Sequence, residues 1–207
     1  MSAPRRRPDF DTRFVRDDKS KRPARTLRRR LLIVCGASRT EPLYLEGLNS
    51  HLRNPAVRIK VLAKSCAPLQ VVEYAIHHAT VVGDSYDELW CVVDVDQFTG
   101  LGEAIRRAAT CTAPPTTVIV SNPCFELWLL LHFADHRAHV ASYAQLKPLL
   151  RKHLPNYDKS RLDFARGGYA ETYGAAVERA MALEPTGTDF SRNPSTNMWQ
   201  LIEAMKR

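Results

Sequence analysis

Two acids one residue apart, Asp94 and Asp96 in CVVDVDQF, are the sharpest chemical signal in this chain. On an extended chain residues i and i+2 point to the same side, so both carboxylates can face one point just past a strand. Paired carboxylates repel, and the usual compensation is a hard divalent cation such as Mg2+, bound through oxygens with waters retained. A turn at a strand exit, where Asp is also favoured, is the plain alternative. A third acid, Glu126, lies in SNPCFELWLLLHF. Pro123 fits the first position of a helix and makes Asn122 a natural N-cap, which puts Glu126 one position past the capping-box site. Set among Phe125, Leu127, Trp128, Leu129 and Leu130, this acid needs a partner if it is buried. A metal ion would be one, and a salt bridge to a base such as Lys159 would be another. The fourth acid, Glu41 in SRTEP, begins a helix, where the helix dipole favours a carboxylate without any catalytic role. Its place beside the strand ends is what makes it a candidate.

Those strand ends come from an alternation of short apolar runs with amphipathic segments. Strands are expected at Leu31–Cys35, Val57–Leu62, Leu89–Val93 and Thr117–Val120, and helices at roughly 41–53, 68–82 and 100–110, with Pro68 in a first helical turn. Near-continuous Val/Ile/Leu strands separated by helices imply a four-stranded parallel sheet covered on both faces. Pro123 to Phe133 reads as a buried helix, apolar nearly all round, followed by helices at about 143–153, 168–182 and 195–205. The organisation is then a flexible basic tail over 1–27, an α/β core over 28–135, and a helical extension over 136–207 packed on the core. In an open parallel sheet, ligands collect at the carboxyl ends of the strands. Here those ends are Gly36–Glu41, the loop after Leu62, Asp94–Asp96 and Ser121–Glu126, and three of the four carry candidate metal ligands.

Of 207 residues, 44% are hydrophobic, enough for one good core. No apolar run reaches the roughly 18 residues that span a bilayer, so a soluble protein without membrane attachment is expected. The net charge of +8 sits entirely in residues 1–30, with 12 Lys/Arg against 4 Asp/Glu, while residues 31–207 carry 18 of each. Three prolines, two aromatics and no apolar period leave residues 1–27 unable to offset ordering entropy by burial, so they read as disordered. Such an arm suits nucleic-acid backbones through counterion release and serves equally as a solubilising extension. Five cysteines, at 35, 66, 91, 111 and 124, form no CxxC pair and point to a reducing cytoplasm rather than a zinc ribbon. His132, His136 and His139 are spaced to share a helix face but have no further acid or Cys in register, which favours solvated histidines over zinc. No Walker loop, GxSxG elbow or GxGxxG follows any strand, leaving carboxylate–metal chemistry as the main catalytic option.

LLIVCGASRTEPLY, YDELWCVVDVDQF, SNPCFELWLLLHF, YDKS and NPSTNMWQLI resemble, in order and spacing, the RloB-like family of bacterial defence and restriction-locus proteins, over about residues 28 to 205. The resemblance implies a Toprim-like core, a Mg2+- or Mn2+-dependent nuclease acting on DNA or RNA, and an ATPase partner encoded nearby. It implies that Asp94 and Asp96 are the Toprim acid pair, that Glu41 is the second acid of the strand-to-helix motif, and that Ser121 and Glu126 form the third ligand cluster. Lys159 would stabilise charge on the phosphate. One position departs from the family pattern: Gly36 stands where a glutamate usually follows the strand's cysteine, and residues 36 to 40 contain no carboxylate. In a two-metal phosphodiester mechanism this loss weakens one ion site. Two outcomes follow: reduced or conditional nuclease activity, with Glu41 or Glu46 swinging in, or a weakened module that binds nucleic acid or a partner.

Overall fold

The computed structural model describes residues 28–81, 85–95 and 100–207; the basic segment 1–27 and Asp96 lie outside the described residues. In chain order the elements are β1 (Arg29–Cys35), α1 (Thr40–Leu52), β2 (Val57–Ala63), α2 (Pro68–Val81), β3 (Glu88–Asp94) and α3 (Leu101–Ala109). They continue with β4 (Thr116–Asn122), α4 (Glu126–Leu131), α5 (Tyr143–His153), α6 (Tyr169–Leu183), β5 (Ser195–Thr196) and α7 (Met198–Lys206).

Leu31 to Cys35 are fully buried because β1 runs inside the sheet, whose order is β2-β1-β3-β4-β5. The first four of these strands are parallel, as their unbroken apolar runs require. Alternate residues feed two cores. Leu32, Val34, Cys91 and Val93 meet α2 and α3 on one face. Leu31, Ile33, Val92 and Ile119 meet α1, α4, α6 and α7 on the other. Residues of α5, α6 and α7 also belong to this second core.

Two expectations are corrected. The sheet has five strands, not four: Ser195 and Thr196 pair antiparallel with Asn122 and Ser121. Asn197 continues the contact, its side chain accepting from the Val120 amide at 2.6 Å and donating to the Val118 carbonyl at 3.2 Å. A two-residue polar strand has no period of its own; tertiary pairing alone creates it, and α7 starts only at Met198. Second, α4 begins at Glu126, and Asn122 is the last residue of β4 rather than a helix cap. Residues after Asn122 stay tied to the sheet, with the Val95 amide donating to the Pro123 carbonyl at 3.2 Å, so helical geometry is delayed by three residues.

The loop between α5 and α6 is anchored by Phe164, which seats on α1 at Gly47. A Cβ at Gly47 would collide with the Phe164 ring, so this close approach needs a glycine. Phe164 joins Tyr44 and Tyr169 in a fully aromatic contact set, with ring centroids 5.3 to 5.9 Å apart. That anchor brings the YDKS segment across the carboxyl edge of the sheet.

Candidate functional site at the carboxyl edge

Three strand exits and the α5–α6 loop converge on a cleft of about 170 Å3 lined by Glu41, Asp94, Glu126 and Lys159, with Arg39 and Thr40 at its side. Glu41 reaches it from the first turn of α1, Asp94 as the last residue of β3, and Glu126 as the first residue of α4. A carboxylate in a first helical turn is favoured by the dipole, so local structure and site geometry ask for the same residue type. Glu41 and Glu126 are only 2% and 1% exposed, an unusual position for two acids.

Their environments differ. Glu126 has partners: Lys159 Nζ lies 3.0 Å from Oε1, and the Tyr157 hydroxyl donates to the same oxygen at 3.0 Å. Lys159 itself sits 3.7 Å above the Tyr143 ring. Its carbonyl accepts from Thr40 Oγ1 at 3.2 Å, and Arg39 donates to Ser160 Oγ at 2.5 Å. Burial works against the Lys159 ammonium, but attraction and hydrogen bonding to Glu126 outweigh it and hold its pKa above the ordinary value. For Tyr157, burial and the adjacent Glu126 charge push the phenol pKa upward, so it remains a donor.

Glu41 is the contrast. Its Oε2 is buried with no hydrogen-bond partner among the described residues. Burial first, and repulsion from Glu126 as well, raise its pKa from 4.5 to about 7, although its own backbone amide and Lys159 pull the other way. Behind it lies a smaller hollow of about 40 Å3 lined by Gly36, Glu41, Cys66 and Asp94. The Gly36 amide donates to the Val92 carbonyl at 2.8 Å, and a Cβ there would stand 3.3 Å from that oxygen and 3.6 Å from the Val71 and Val93 side chains, a tight fit.

Ser121 is paired with Asp94 in the sheet register, but its buried hydroxyl bonds Thr196 Oγ1 at 3.0 Å and does not line the cleft. Asp96 lies outside the described residues. His132 is buried between the Tyr44 hydroxyl at 3.0 Å and Thr172 Oγ1 at 2.8 Å, and burial lowers its pKa to about 3. With α4 ending at Leu131, no helix aligns it with His136 and His139. Among the described residues no three His, Cys, Asp or Glu side chains form a metal-holding group. The oxygen-only pair Glu41 and Asp94 nevertheless suits a hard divalent ion, and the orphaned Glu41 oxygen is the atom such an ion would satisfy. Sequence reasoning missed Tyr157, Tyr143 and Arg39. Only Tyr157 left a signal, two residues before Lys159 in NYDKSR.

An α/β sheet with acids from successive strand ends gathered at its carboxyl edge defines the general class. The family model for RloB-like protein matches residues 31–205, and the chain belongs to that family. No curated protein and no solved structure matches it.

Proposed function

We propose that this chain is a Toprim-like phosphodiester hydrolase of a bacterial defence system, acting in the cytoplasm on nucleic acid with Mg2+ or Mn2+, and attenuated by the glycine at position 36. The observation that supports this reading best is the convergence of Glu41, Asp94, Glu126 and Lys159 on one cleft. Glu41 and Asp94, with Asp96, would hold the ion, which when bound polarises a phosphoryl oxygen and activates water. Without an ion the Glu41 pKa is about 7, so ion binding at neutral pH would displace its proton. Lys159 offers its ammonium to phosphate charge while lying 3.0 Å from Glu126 Oε1. A cleft of about 170 Å3 admits one backbone phosphate and leaves the bases outside, in keeping with recognition that reads no sequence. An ATPase partner would supply the activating signal.

The test is cleavage of labelled DNA and RNA by the full-length protein in Mg2+ or Mn2+. Asp94→Asn is expected to lower the rate by at least about 100-fold, and Gly36→Glu to raise it, by adding a carboxylate at the hollow beside Glu41 and Asp94. A second reading, a binding subunit without turnover, is favoured by the Lys159–Glu126 ion pair, which already occupies one of the acids. Nucleic-acid binding with no cleavage in any of the three proteins would select it.

A further inference from the structure

At the opposite end of the same strands, Arg30 and Arg58 stand directly across from each other in the β1–β2 register, and Lys60 follows two residues on, on the same face. With Ile59 and Tyr86 they line a hollow of about 150 Å3. None of these lining residues is an acid. Arg30 lies 5.6 Å from the Tyr86 ring centroid, and its guanidinium donates to Ser85 Oγ at 3.1 Å. The Asp87 carboxylate takes the Arg30 backbone amide at 2.7 Å. Lys60 Nζ is 3.3 Å from His78 Nε2. The Tyr86 hydroxyl is buried and has no hydrogen-bond partner among the described residues.

Lys and Arg on an edge strand discourage edge-to-edge pairing of sheets. That accounts for charges pointing into solvent, but not for three of them gathered round one hollow beside an aromatic ring. Like charges directly opposite on paired strands destabilise the pair, and a bound anion removes the cost. A phosphate group matches the hollow in size, accepts from guanidinium forks, and is the anion for which arginine is best shaped. The chain enters this end of β1 through Arg28 and Arg29, continuous with the segment that carries the whole net charge of +8. A polyanion of repeated phosphates fits both features better than a single small anion.

We propose that the Arg30–Arg58–Lys60–Tyr86 hollow is a backbone-phosphate site for nucleic acid, separate from the carboxyl-edge cleft and about 20 Å from it along β1. It holds the strand and takes no part in cleavage. It rests on the proposed function only in the choice of nucleic acid as the polyanion.

The experiment measures binding of a labelled single-stranded oligonucleotide to full-length protein in EDTA, across a salt series, with no turnover to confuse the result. Arg58→Ala/Lys60→Ala is expected to bind roughly tenfold more weakly and to reduce the slope of log affinity against log salt by one to two. Unchanged affinity and slope in the double variant, with the thermal midpoint intact, would overturn the site. So would full loss of binding on removing residues 1–27 alone, or binding of polyglutamate as tight as that of the oligonucleotide. None of these outcomes touches the cleft reading, which stands or falls on cleavage by Asp94→Asn.

Discussion

The two ends of the sheet carry opposite charge in opposite ways. At the carboxyl edge, acids are buried and coupled: Glu41 and Glu126 share a cleft, one holding Lys159 and Tyr157, the other an orphaned oxygen. At the amino edge, Arg58 is exposed and Lys60 half-buried, so water screens much of their mutual repulsion. Burial, more than the number of charges, decides what each end costs. Substitutions at the carboxyl edge should therefore move stability and its pH dependence, whereas those at the amino edge should move salt dependence and leave stability nearly alone.

The largest effect expected is the pH dependence set by Glu41. Its folded pKa of about 7 lies above the ordinary 4.5, so the native state binds this proton more tightly than the unfolded chain. Stability from this group is therefore highest below about pH 4.5, declines as pH rises to about 7, and is lower by about 3 kcal/mol above that. Glu41→Gln should be more stable than the parent by about 2–3 kcal/mol near pH 8, with the advantage gone near pH 4.5, as read from urea midpoints. Adding Mg2+ or Mn2+ at pH 8 should stabilise the parent and not the variant. Equal stability of the two proteins at pH 8 would mean that the carboxyl edge carries no more strain than the amino edge.

Lys159 comes next. Lys159→Met leaves Glu126 buried without its cation, and because the Lys159 side chain is 40% exposed the cost should be about 2 kcal/mol rather than that of a fully buried pair. Adding Glu126→Gln to the same protein should restore most of the loss, since removal of both charges leaves none unpaired. A double variant no more stable than Lys159→Met would assign the effect to the Tyr143 contact instead.

How much of this the sequence discloses follows the range of the forces involved. Tyr143–His153 agrees with its expected bounds because local period and flanking turns decide it. Ser195–Thr196 was invisible, since nothing but β4 makes it a strand. The start of α4 was misplaced because Asn122 and Pro123 carry a strong local helix-start signal that the sheet overrides. Glu126 was legible as an acid needing a partner, with Lys159 as one of two candidates, because burial of a charge is a sequence-level anomaly. The amino-edge cluster left no such trace. Residues 31–207 balance to zero charge, and only the β1–β2 register reveals that Arg58 and Lys60 are stacked beside Arg30.

The smallest effect tests the amino edge directly. Arg58 faces Arg30 across the strand pair, and the like-charge repulsion between them should cost a few tenths of a kcal/mol. Arg58→Ala is therefore expected to be slightly more stable than the parent at low ionic strength, and the gain should vanish near 1 M salt, where the screening length falls to about 3 Å. A residue retained at a small cost to folding while contributing to phosphate affinity is what a binding site predicts. A loss of more than about 1 kcal/mol from Arg58→Ala, insensitive to salt, would show the opposite. The guanidinium would then be packed into the fold as Lys159 is, and the contrast between the two ends of the sheet would collapse.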